Sequence, residues 1–320
     1  MNADRSLWSR LVTGDSCRQR LKRAATTGSG GSSAFFIKPL DRRQFGQLAL
    51  GGIALSASAQ NTSLSNVSST FRGVVLGANT YSLSTMPLAD SIKAIASIGF
   101  GEAEVHPRHI EPNSISRDDL RRWRLSVPLN NFAAIGKNFR DAGIYLYAYN
   151  MNFSDDFTDP EIDRIFEMTR AMGCRLMTAV GSNAFFRRLD AFAKKHKQLV
   201  GLHNEETGLR TPADFEAVRK GLSEYIKITL DIGHFVAGGS DPVSFIAKNH
   251  QDIVKLHLKD KKKNGPDMPF GQGDTPIQEV LLMVRDRKYS IPANIEWEVN
   301  GDRVAALRRC FDYCKQILES

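Results

Sequence analysis

Cysteine is scarce in this sequence, and the few cysteines follow no disulfide framework. Four cysteines occur among 320 residues. Cys17 lies near the N-terminus, Cys174 falls in a predicted strand, and Cys310 and Cys314 are one turn apart on a predicted helix. Disulfide-stabilised scaffolds carry dense, evenly numbered cysteines, so that class of protein is excluded. We expect Cys310 and Cys314 to pack in the core, with a metal site at this pair as the alternative.

The apolar run near the N-terminus is too short to span a membrane. It covers residues 48–55, whereas a spanning helix needs about 20 apolar residues. Before it lies Asp41-Arg42-Arg43-Gln44-Phe45, which resembles the bacterial twin-arginine export motif, and after it lies Ala57-Ser58-Ala59, a cleavage pattern. Residues 1–59 are therefore predicted to be a disordered lead-in and a cleavable twin-arginine signal peptide. An internal amphipathic helix after a linker is the alternative.

A basic surplus is missing from the rest of the chain. Nine Lys/Arg and three Asp/Glu lie within residues 1–59, so this segment carries most of the formal net charge of +8. A nearly neutral remainder has no electrostatic footprint for nucleic acid. We therefore expect no nucleic-acid partner. Recognition by the twin-arginine export machinery predicts a mature chain, residues 60–320, that is periplasmic or secreted and not held in a membrane.

The first predicted strand lacks a glycine fingerprint. It covers residues 74–81 and contains Gly77-Ala78-Asn79-Thr80, without the Gly-x-Gly-x-x-Gly pattern of dinucleotide-binding open sheets. Strand and helix patterns alternate eight times, which indicates parallel β-α-β units. Eight units close a barrel of roughly 250 residues, so we predict a single (β/α)8 TIM barrel over residues 60–320.

The predicted strands cover residues 74–81, 102–106, 144–150, 175–180, 199–204, 226–232, the strand that carries His257, and 293–298. The predicted helices cover residues 88–98, 130–142, 160–172, 185–195, 212–222, 245–250, 275–287 and 303–318. Asp159, Thr211 and the Ser240-Asp241-Pro242 segment have the composition of helix starts.

Alternation along the strands separates an apolar face from a polar one, because successive side chains of a strand point to opposite sides. One strand places Thr229 and Asp231 opposite its isoleucines, and the next places Lys255 and His257 opposite its leucines. Barrel interiors are normally filled by branched apolar residues, and buried ionisable groups are costly unless paired or metal-bound. We therefore predict one shared polar site at the C-terminal mouth, to which other strands add Glu102, Glu104, His106, His203, Glu205, Glu296 and Glu298.

Four of these residues form a predicted metal site. His203, Asp231, His257 and Glu296 come from four consecutive strands and offer two imidazoles and two carboxylates. Such a set suits one divalent ion, Mn²⁺, Zn²⁺, Co²⁺ or Fe²⁺, with positions left for substrate oxygens. The absence of nearby cysteines argues against a purely structural zinc site. Each residue has the alternative of capping or orienting a neighbour.

Other polar residues near the strand ends are predicted to act on a bound substrate. Glu205 and Glu298 each lie two residues from a predicted ligand and are candidates for general base and acid, or for substituting as metal ligands. Lys259 and His234 are candidates for binding hydroxyl groups or stabilising a developing oxyanion. Glu104 is predicted to contact substrate. Simple salt bridging is the alternative for each.

Five segments resemble one family. They read GFGEAEVH, GLHNEE, LDIGHFVAGGSDP, KLHLKDKKKNG with PFGQGDTPI, and ANIEWE, and they span residues 99–298. The chain resembles the xylose isomerase-like TIM-barrel superfamily, which includes sugar phosphate isomerases/epimerases and an apurinic endonuclease family. The resemblance implies a divalent metal held by strands five to eight, at His203, Asp231, His257 and Glu296. It also implies isomerisation or epimerisation of a carbohydrate next to its carbonyl through a metal-stabilised enediolate.

One position departs from the family pattern. Many sugar epimerases of this group have a glutamate at the strand-five ligand position, where this chain has His203. Glu205 or Glu298 would then take over proton transfer, or the reaction would differ, as in relatives that are dehydratases or cleave 3-keto-glycosides by β-elimination. A lyase and a non-catalytic periplasmic sugar- or metal-binding protein therefore remain open, as does a purely structural salt-bridge network at the mouth.

The endonuclease alternative is weaker. Resemblance to that part of the family would imply a trinuclear zinc site with many histidine ligands. This chain has seven histidines in all, and His196 and His250 of these fall on predicted helices. A homo-oligomer also remains open. The Lys261-Lys262-Lys263 run is predicted to be a solvated basic loop, with an anion site as the alternative.

Overall fold

The computed structural model describes residues 64–205 and 208–320. Eight parallel strands form a closed ring, because the last strand pairs with the first of them through Leu76 and Ala293. A short strand, β1, pairs antiparallel with β2 outside the ring. The strands are β1 Thr70–Phe71, β2 Val74–Asn79, β3 Glu102–Val105, β4 Tyr145–Asn152, β5 Leu176–Val180, β6 Leu199–His203, β7 Ile226–Asp231, β8 Ile253–Leu258 and β9 Ala293–Ile295. The predicted (β/α)8 barrel is confirmed.

Helices follow the strands and cover the outside of the ring. They are α1 Leu88–Ile98, α2 Arg117–Ser126, α3 Leu129–Asp141, α4 Asp159–Met172, α5 Asn183–His196, α6 Pro212–Arg219, α7 Ile232–Ala237, α8 Pro242–Asn249, α9 Ile277–Asp286 and α10 Arg303–Glu319. Within residues 64–205 and 208–320, no helix is both long and apolar enough to cross a membrane. The predicted signal peptide and its boundary at residue 59 lie outside the described residues, so both remain predictions.

Two helices were not predicted from the sequence. Helix α2 is strongly polar and has no continuous apolar stripe, so its periodicity gave no signal; Ser116 caps it by accepting the backbone N–H of Asp119. Helix α7 has six residues, too few to show a period, and begins directly after Asp231. Both helices are set by capping and tertiary contacts.

Some predicted boundaries differ from the structure. The predicted cap Asp159 is wrong because Thr158 occupies the N-cap position of α4, with Pro160 at its start. Strand β9 ends at Ile295, so Glu296 and Glu298 lie in the turn that follows it. The predicted starts at Thr211 and Asp241 are confirmed. Thr211 forms a reciprocal capping box with Asp214, and the Asp241 side chain accepts the backbone N–H of Val243.

The core lies between the outer faces of the strands and the apolar faces of the helices. In α10, Leu307, Phe311 and Leu318 are buried against the barrel together with Cys310 and Cys314. All three cysteines of the described residues are buried free thiols. The predicted core packing of Cys310 and Cys314 is therefore confirmed.

Charged side chains occupy the interior of the barrel itself. Glu102, Glu104 and Lys255 are fully buried there. Glycines make this possible, because a Cβ at Gly77 would lie 1.6 Å from Glu102 Oε2 and a Cβ at Gly201 would lie 2.2 Å from the Thr229 hydroxyl. The interior below the mouth is thus a polar layer and not the usual packing of branched apolar residues.

Candidate metal centre

The four predicted ligands meet at the C-terminal mouth. His203 ends β6, Asp231 ends β7, His257 lies in β8 opposite Asp231, and Glu296 follows β9. All four are buried, and each offers one ligand atom within 4.8 Å of the others. The parallel register explains this convergence, because the carboxyl ends of neighbouring parallel strands lie at the same edge of a sheet.

The donor atoms point towards one another. His203 Nε2 lies 2.9 Å from His257 Nδ1, and His257 Nδ1 lies 3.2 Å from Glu296 Oε2. Asp231 Oδ2 lies 3.9 Å from His203 Nε2. Two nitrogens at this separation cannot both carry a proton, so at least one presents a lone pair to the centre.

Asp231 uses its two carboxylate oxygens differently. Oδ1 accepts the backbone N–H of His234 at 2.8 Å and so begins α7. Oδ2 is buried and has no hydrogen-bond partner among the described residues. A buried unsatisfied oxygen costs about 1–3 kcal/mol, whereas a cation would satisfy it. The mixed nitrogen and oxygen donors, together with this orphaned oxygen, therefore fit one divalent ion.

The protonation of the two histidines differs. Burial, reinforced by the positive charge of His257, lowers the pKa of His203 to about 3, so His203 is neutral as a ligand must be. Burial alone would lower the pKa of His257, but Glu104 and Glu296 on either side raise that pKa to about 9. Metal binding at His257 Nδ1 therefore requires the release of a proton.

Lys259 lies beside the four residues and is hydrogen-bonded to His234; the predicted contact of both residues with substrate stays a prediction. Its ammonium donates to Glu298 Oε1 at 2.5 Å and to His234 Nε2 at 3.1 Å. It also lies 3.5 Å from Glu296 Oε2 and 3.6 Å from Asp231 Oδ2. Burial alone would lower the pKa of Lys259, but the carboxylates of Glu296, Asp231 and Glu298 raise it, so the lysine stays charged.

The same ammonium fixes the state of His234. Burial and the nearby charges of Lys259 and Lys261 lower the pKa of His234 to about 2. Because Lys259 can only donate, His234 Nε2 is the acceptor and its proton sits on Nδ1. His234 is therefore a neutral N–H donor close to the mouth.

The two predicted acid/base residues flank the centre. Burial raises the pKa of Glu205, and the negative charges of Glu296 and Asp231 add to this despite Lys259. Burial also raises the pKa of Glu298, again against the attraction of Lys259. A carboxyl group with a raised pKa is better suited than an ordinary one to both taking and returning a proton.

Glu104 occupies a different position from the one expected of a substrate contact. It is fully buried below the centre. Lys255 and Thr178 donate to Oε2 at 2.6 and 2.8 Å, and Asn150 and Asn79 donate to Oε1 at 3.0 and 3.2 Å. Burial alone would raise the pKa of Glu104, but Lys255 and His257 lower it well below its ordinary value. Its oxygens are engaged by the protein.

Two residues near the centre were not among those predicted to act. Lys255 is fully buried, and its alternation with His257 was the available signal. His106 follows Glu104 on the same face of β3, one step nearer the mouth. Its Nδ1 accepts the backbone N–H of Arg108 at 3.2 Å, which leaves its proton on Nε2. The imidazole ring of His106 packs on the ring of Tyr81, with 4.7 Å between the ring centroids.

The loop after β8 is organised by carboxylates. Asp260 accepts the backbone N–H groups of Gly271, Gly273 and Thr275 at 2.8, 2.9 and 3.3 Å. In the basic run, Lys261 pairs with Asp267 at 3.2 Å and Lys262 with Asp274 at 2.9 Å. The charges of Lys261 and Lys262 are therefore matched within the loop. The predicted solvation of the run is wrong at Lys261, which is buried. Beside the loop, a cavity of about 510 Å³ is lined by Arg210, Ala237, Gly238, Asn264, Gly265 and Pro266.

The family model of the xylose isomerase-like TIM barrel matches residues 92–317. The chain belongs to this family. The matched range contains all four residues of the candidate metal centre and the neighbouring Lys259. No curated protein matches the chain.

Solved structures of this barrel type are similar to the chain. D-psicose 3-epimerase, solved in the presence of D-fructose, gives a TM-score of 0.59 at 15% identity over 77% of this chain and 100% of that one. The IOLI protein with a bound zinc atom gives 0.59 at 15% identity over 77% and 98%. The probable 3-DHS dehydratase AsbF of Bacillus anthracis, involved in petrobactin synthesis, gives 0.60 at 14% identity over 75% and 98%. Identities this low establish the shared fold alone.

Proposed function

We propose that this xylose isomerase-like protein is a metal-dependent sugar isomerase or epimerase that moves a proton beside the carbonyl group of a small carbohydrate. The observation that carries the proposal is the convergence of His203, Asp231, His257 and Glu296 at the mouth, within 4.8 Å of one another. The solved D-psicose 3-epimerase and the zinc-containing IOLI protein support it by sharing the fold.

The four convergent residues would hold the ion, whose chemistry when bound is to polarise the substrate carbonyl as a Lewis acid. Glu298 or Glu205 takes the proton from the carbon next to the carbonyl. In an isomerisation a carboxyl returns the proton to the former carbonyl carbon, while the hydroxyl proton of the neighbouring carbon passes to the former carbonyl oxygen. In an epimerisation the other carboxyl returns a proton to the opposite face of the same carbon. Lys259 remains charged and donates a hydrogen bond to the oxygen that gains negative charge.

His203 restricts how the proton is moved. With its pKa lowered to about 3, this imidazole is neutral at physiological pH and suited to binding a metal. As a metal ligand it would give its one lone pair to the ion, whereas a carboxylate at this position has a second oxygen for a proton. Proton transfer falls to Glu205 and Glu298, whose pKa values are both raised.

The presence of His203 also favours a second candidate function. A lyase or dehydratase acting on a keto-sugar or a 3-keto-glycoside needs the same proton removal but expels a β-substituent, and it needs only one carboxyl base. The probable dehydratase AsbF shares the fold. A non-catalytic sugar-binding protein would need neither of the two carboxyl groups with a raised pKa.

We further propose that the protein is exported. The support is Arg42-Arg43 with the apolar run and the Ala57-Ser58-Ala59 pattern that follow it in the sequence. Detection of the protein in the periplasmic fraction, and its retention in the cytoplasm when Arg42 and Arg43 are both replaced by lysine, would test this.

The test of the function begins with elemental analysis of the purified protein beside an Asp231→Ala/His257→Ala double variant. We expect about one divalent ion per wild-type chain and none in the variant. Keto-sugars and 3-keto-glycosides are then screened for exchange of the α-proton with deuterated solvent. We expect exchange that Glu298→Gln abolishes while metal content is unchanged.

The outcomes separate the candidates. Exchange with the carbon skeleton and substituents retained supports the isomerase or epimerase, and release of a β-substituent supports the lyase. Metal binding without exchange on any tested sugar supports the binding protein. A metal-free wild type after growth in metal-replete medium contradicts both metal-dependent enzymatic functions.

A further inference from the structure

The two ring nitrogens of His257 face different surroundings. Nδ1 faces the centre, 2.9 Å from His203 Nε2 and 3.2 Å from Glu296 Oε2. Nε2 faces the other way, 3.3 Å from Glu104 Oε1. The two groups are close, but their geometry is not that of a hydrogen bond, and Nε2 has no hydrogen-bond partner within residues 64–205 and 208–320. A metal-bound imidazole keeps its single proton on the nitrogen that does not bind the metal. With Nδ1 on a metal, the proton would lie on Nε2, which has Glu104 Oε1 3.3 Å away as an acceptor within reach.

Glu104 cannot turn away from His257. Its four donors come from four different strands or strand ends, namely Asn79, Asn150, Thr178 and Lys255. With both oxygens held, the carboxylate has one orientation in the barrel. The position of the carboxylate near His257 Nε2 is thus fixed by the strands of the barrel.

Lys255 makes this carboxylate tolerable inside the barrel. Its ammonium is fully buried and donates to Glu104 Oε2 at 2.6 Å. Breaking a buried ion pair by removing one partner costs about 3–5 kcal/mol because it leaves an uncompensated charge. The pair spans the barrel interior from β3 to β8 and lies directly below His257.

We propose that Glu104, held by Lys255, is a positioning residue that keeps the His257 proton on Nε2 and so presents the Nδ1 lone pair to the metal. This inference rests on the proposed metal-dependent function, because it concerns how the same centre acquires its ion. Nothing in it requires contact between Glu104 and the substrate.

The chain offers a matched control in Glu102. It lies two residues from Glu104 on the same face of β3, is equally buried, and has Lys255 3.9 Å from its Oε1. The charge of His257 also acts on Glu102, but no hydrogen bond or close ion pair joins the two within the part of the chain that the structure describes. A change at Glu102 therefore disturbs the same buried layer without removing the acceptor of the His257 proton.

The experiment titrates metal-stripped full-length protein with Mn²⁺ and, separately, with Co²⁺ by calorimetry, and records the visible spectrum of the Co²⁺ form. We expect Glu104→Gln to raise the dissociation constant for each ion about 10–100-fold, the range seen when a hydrogen-bond partner of a metal ligand is removed. The Co²⁺ spectrum should also change. Glu102→Gln should stay within about threefold of the wild type and keep its spectrum.

A second variant guards against misfolding. If Glu104→Gln leaves Lys255 unpaired and the protein unfolded, Glu104→Gln/Lys255→Met removes both charges together and should fold but still bind weakly. A lowered unfolding midpoint with an unchanged dissociation constant and spectrum would show that Glu104 is merely structural and overturn the proposal. A wild type that binds neither ion would instead remove the metal centre itself.

Discussion

Gly77 is the residue that gives a charged side chain room inside the barrel. A Cβ there would lie 1.6 Å from Glu102 Oε2 and 2.8 Å from Asn294 Nδ2. Glu102 is fully buried, and burial raises its pKa to about 7 against the attraction of Lys255. Side chains this closely packed cannot move away without disturbing their own partners.

Gly77→Ala is therefore expected to destabilise the protein by about 1–3 kcal/mol, the range for overpacking a closely packed interior. Urea unfolding followed by circular dichroism measures the change. Gly181→Ala is the control, because its Cβ would meet Phe153 and Phe186 at ordinary contacts of 3.5 Å. The control should change stability by less than about 1 kcal/mol. Equal effects of the two substitutions would show that the space at Gly77 is not limiting.

Helix α2, which periodicity did not predict, is tied to α4 through one carboxylate. Glu161 is fully buried and accepts from Arg117 Nη1 and Nη2 at 2.7 and 2.8 Å and from Arg124 Nη1 at 2.7 Å. Burial alone would raise the pKa of Glu161, but the hydrogen bonds and charges of these two arginines lower it. The attachment of a polar helix thus depends on ion pairing and not on an apolar stripe.

The lowered pKa of Glu161 sets the sign of a pH dependence. The carboxylate stabilises the fold fully above the pKa of an unfolded glutamate, about 4.3, and the stabilisation is lost as the pH falls through the lower folded value. Glu161→Gln is expected to cost about 3 kcal/mol at neutral pH. The difference between variant and wild type should shrink as the pH falls below about 4.

Urea unfolding across this pH range measures the effect of Glu161→Gln. Glu167→Gln on the same helix is the control, because Glu167 pairs with Arg164 at a partly exposed site. Its loss should cost no more than about 1 kcal/mol. A difference between wild type and Glu161→Gln that is independent of pH would contradict the assigned role of the charge.

At the scale of the whole molecule, the candidate metal centre joins consecutive parts of the barrel. His203, Asp231 and His257 belong to β6, β7 and β8, and Glu296 follows β9. A ligand that binds only the folded state stabilises it by mass action, by about 2.7 kcal/mol at 100 times the dissociation constant. An ion bound here would therefore stabilise the fold as a whole.

Mn²⁺ at 100 times its dissociation constant is expected to raise the unfolding midpoint by roughly 5–10 °C, and a chelator should reverse the shift. Differential scanning calorimetry measures it. The Asp231→Ala/His257→Ala double variant should show no shift. An equal shift in this variant would mean that the ion acts elsewhere on the protein.

The sequence by itself determined the barrel and the membership of its candidate site. Alternation of polar and apolar residues is a local property of a strand, so it could place Asp231, His257 and His203 on one face without knowledge of the fold. The count of strand and helix patterns then indicated closure. The parallel register brings the ends of neighbouring strands to one edge, which is why these residues could be predicted to meet.

Only the tertiary structure decided how the polar side chains share their partners. Glu104 and Lys255 are 151 positions apart in the sequence, and their pairing depends on the closure of the ring. The same holds for helix α2, because its arginines contact Glu161 only through the packing of α2 against α4. Sequence periodicity predicts which face of a strand a side chain occupies. The partner of that side chain is set by distances across the barrel, which exist only in the folded chain.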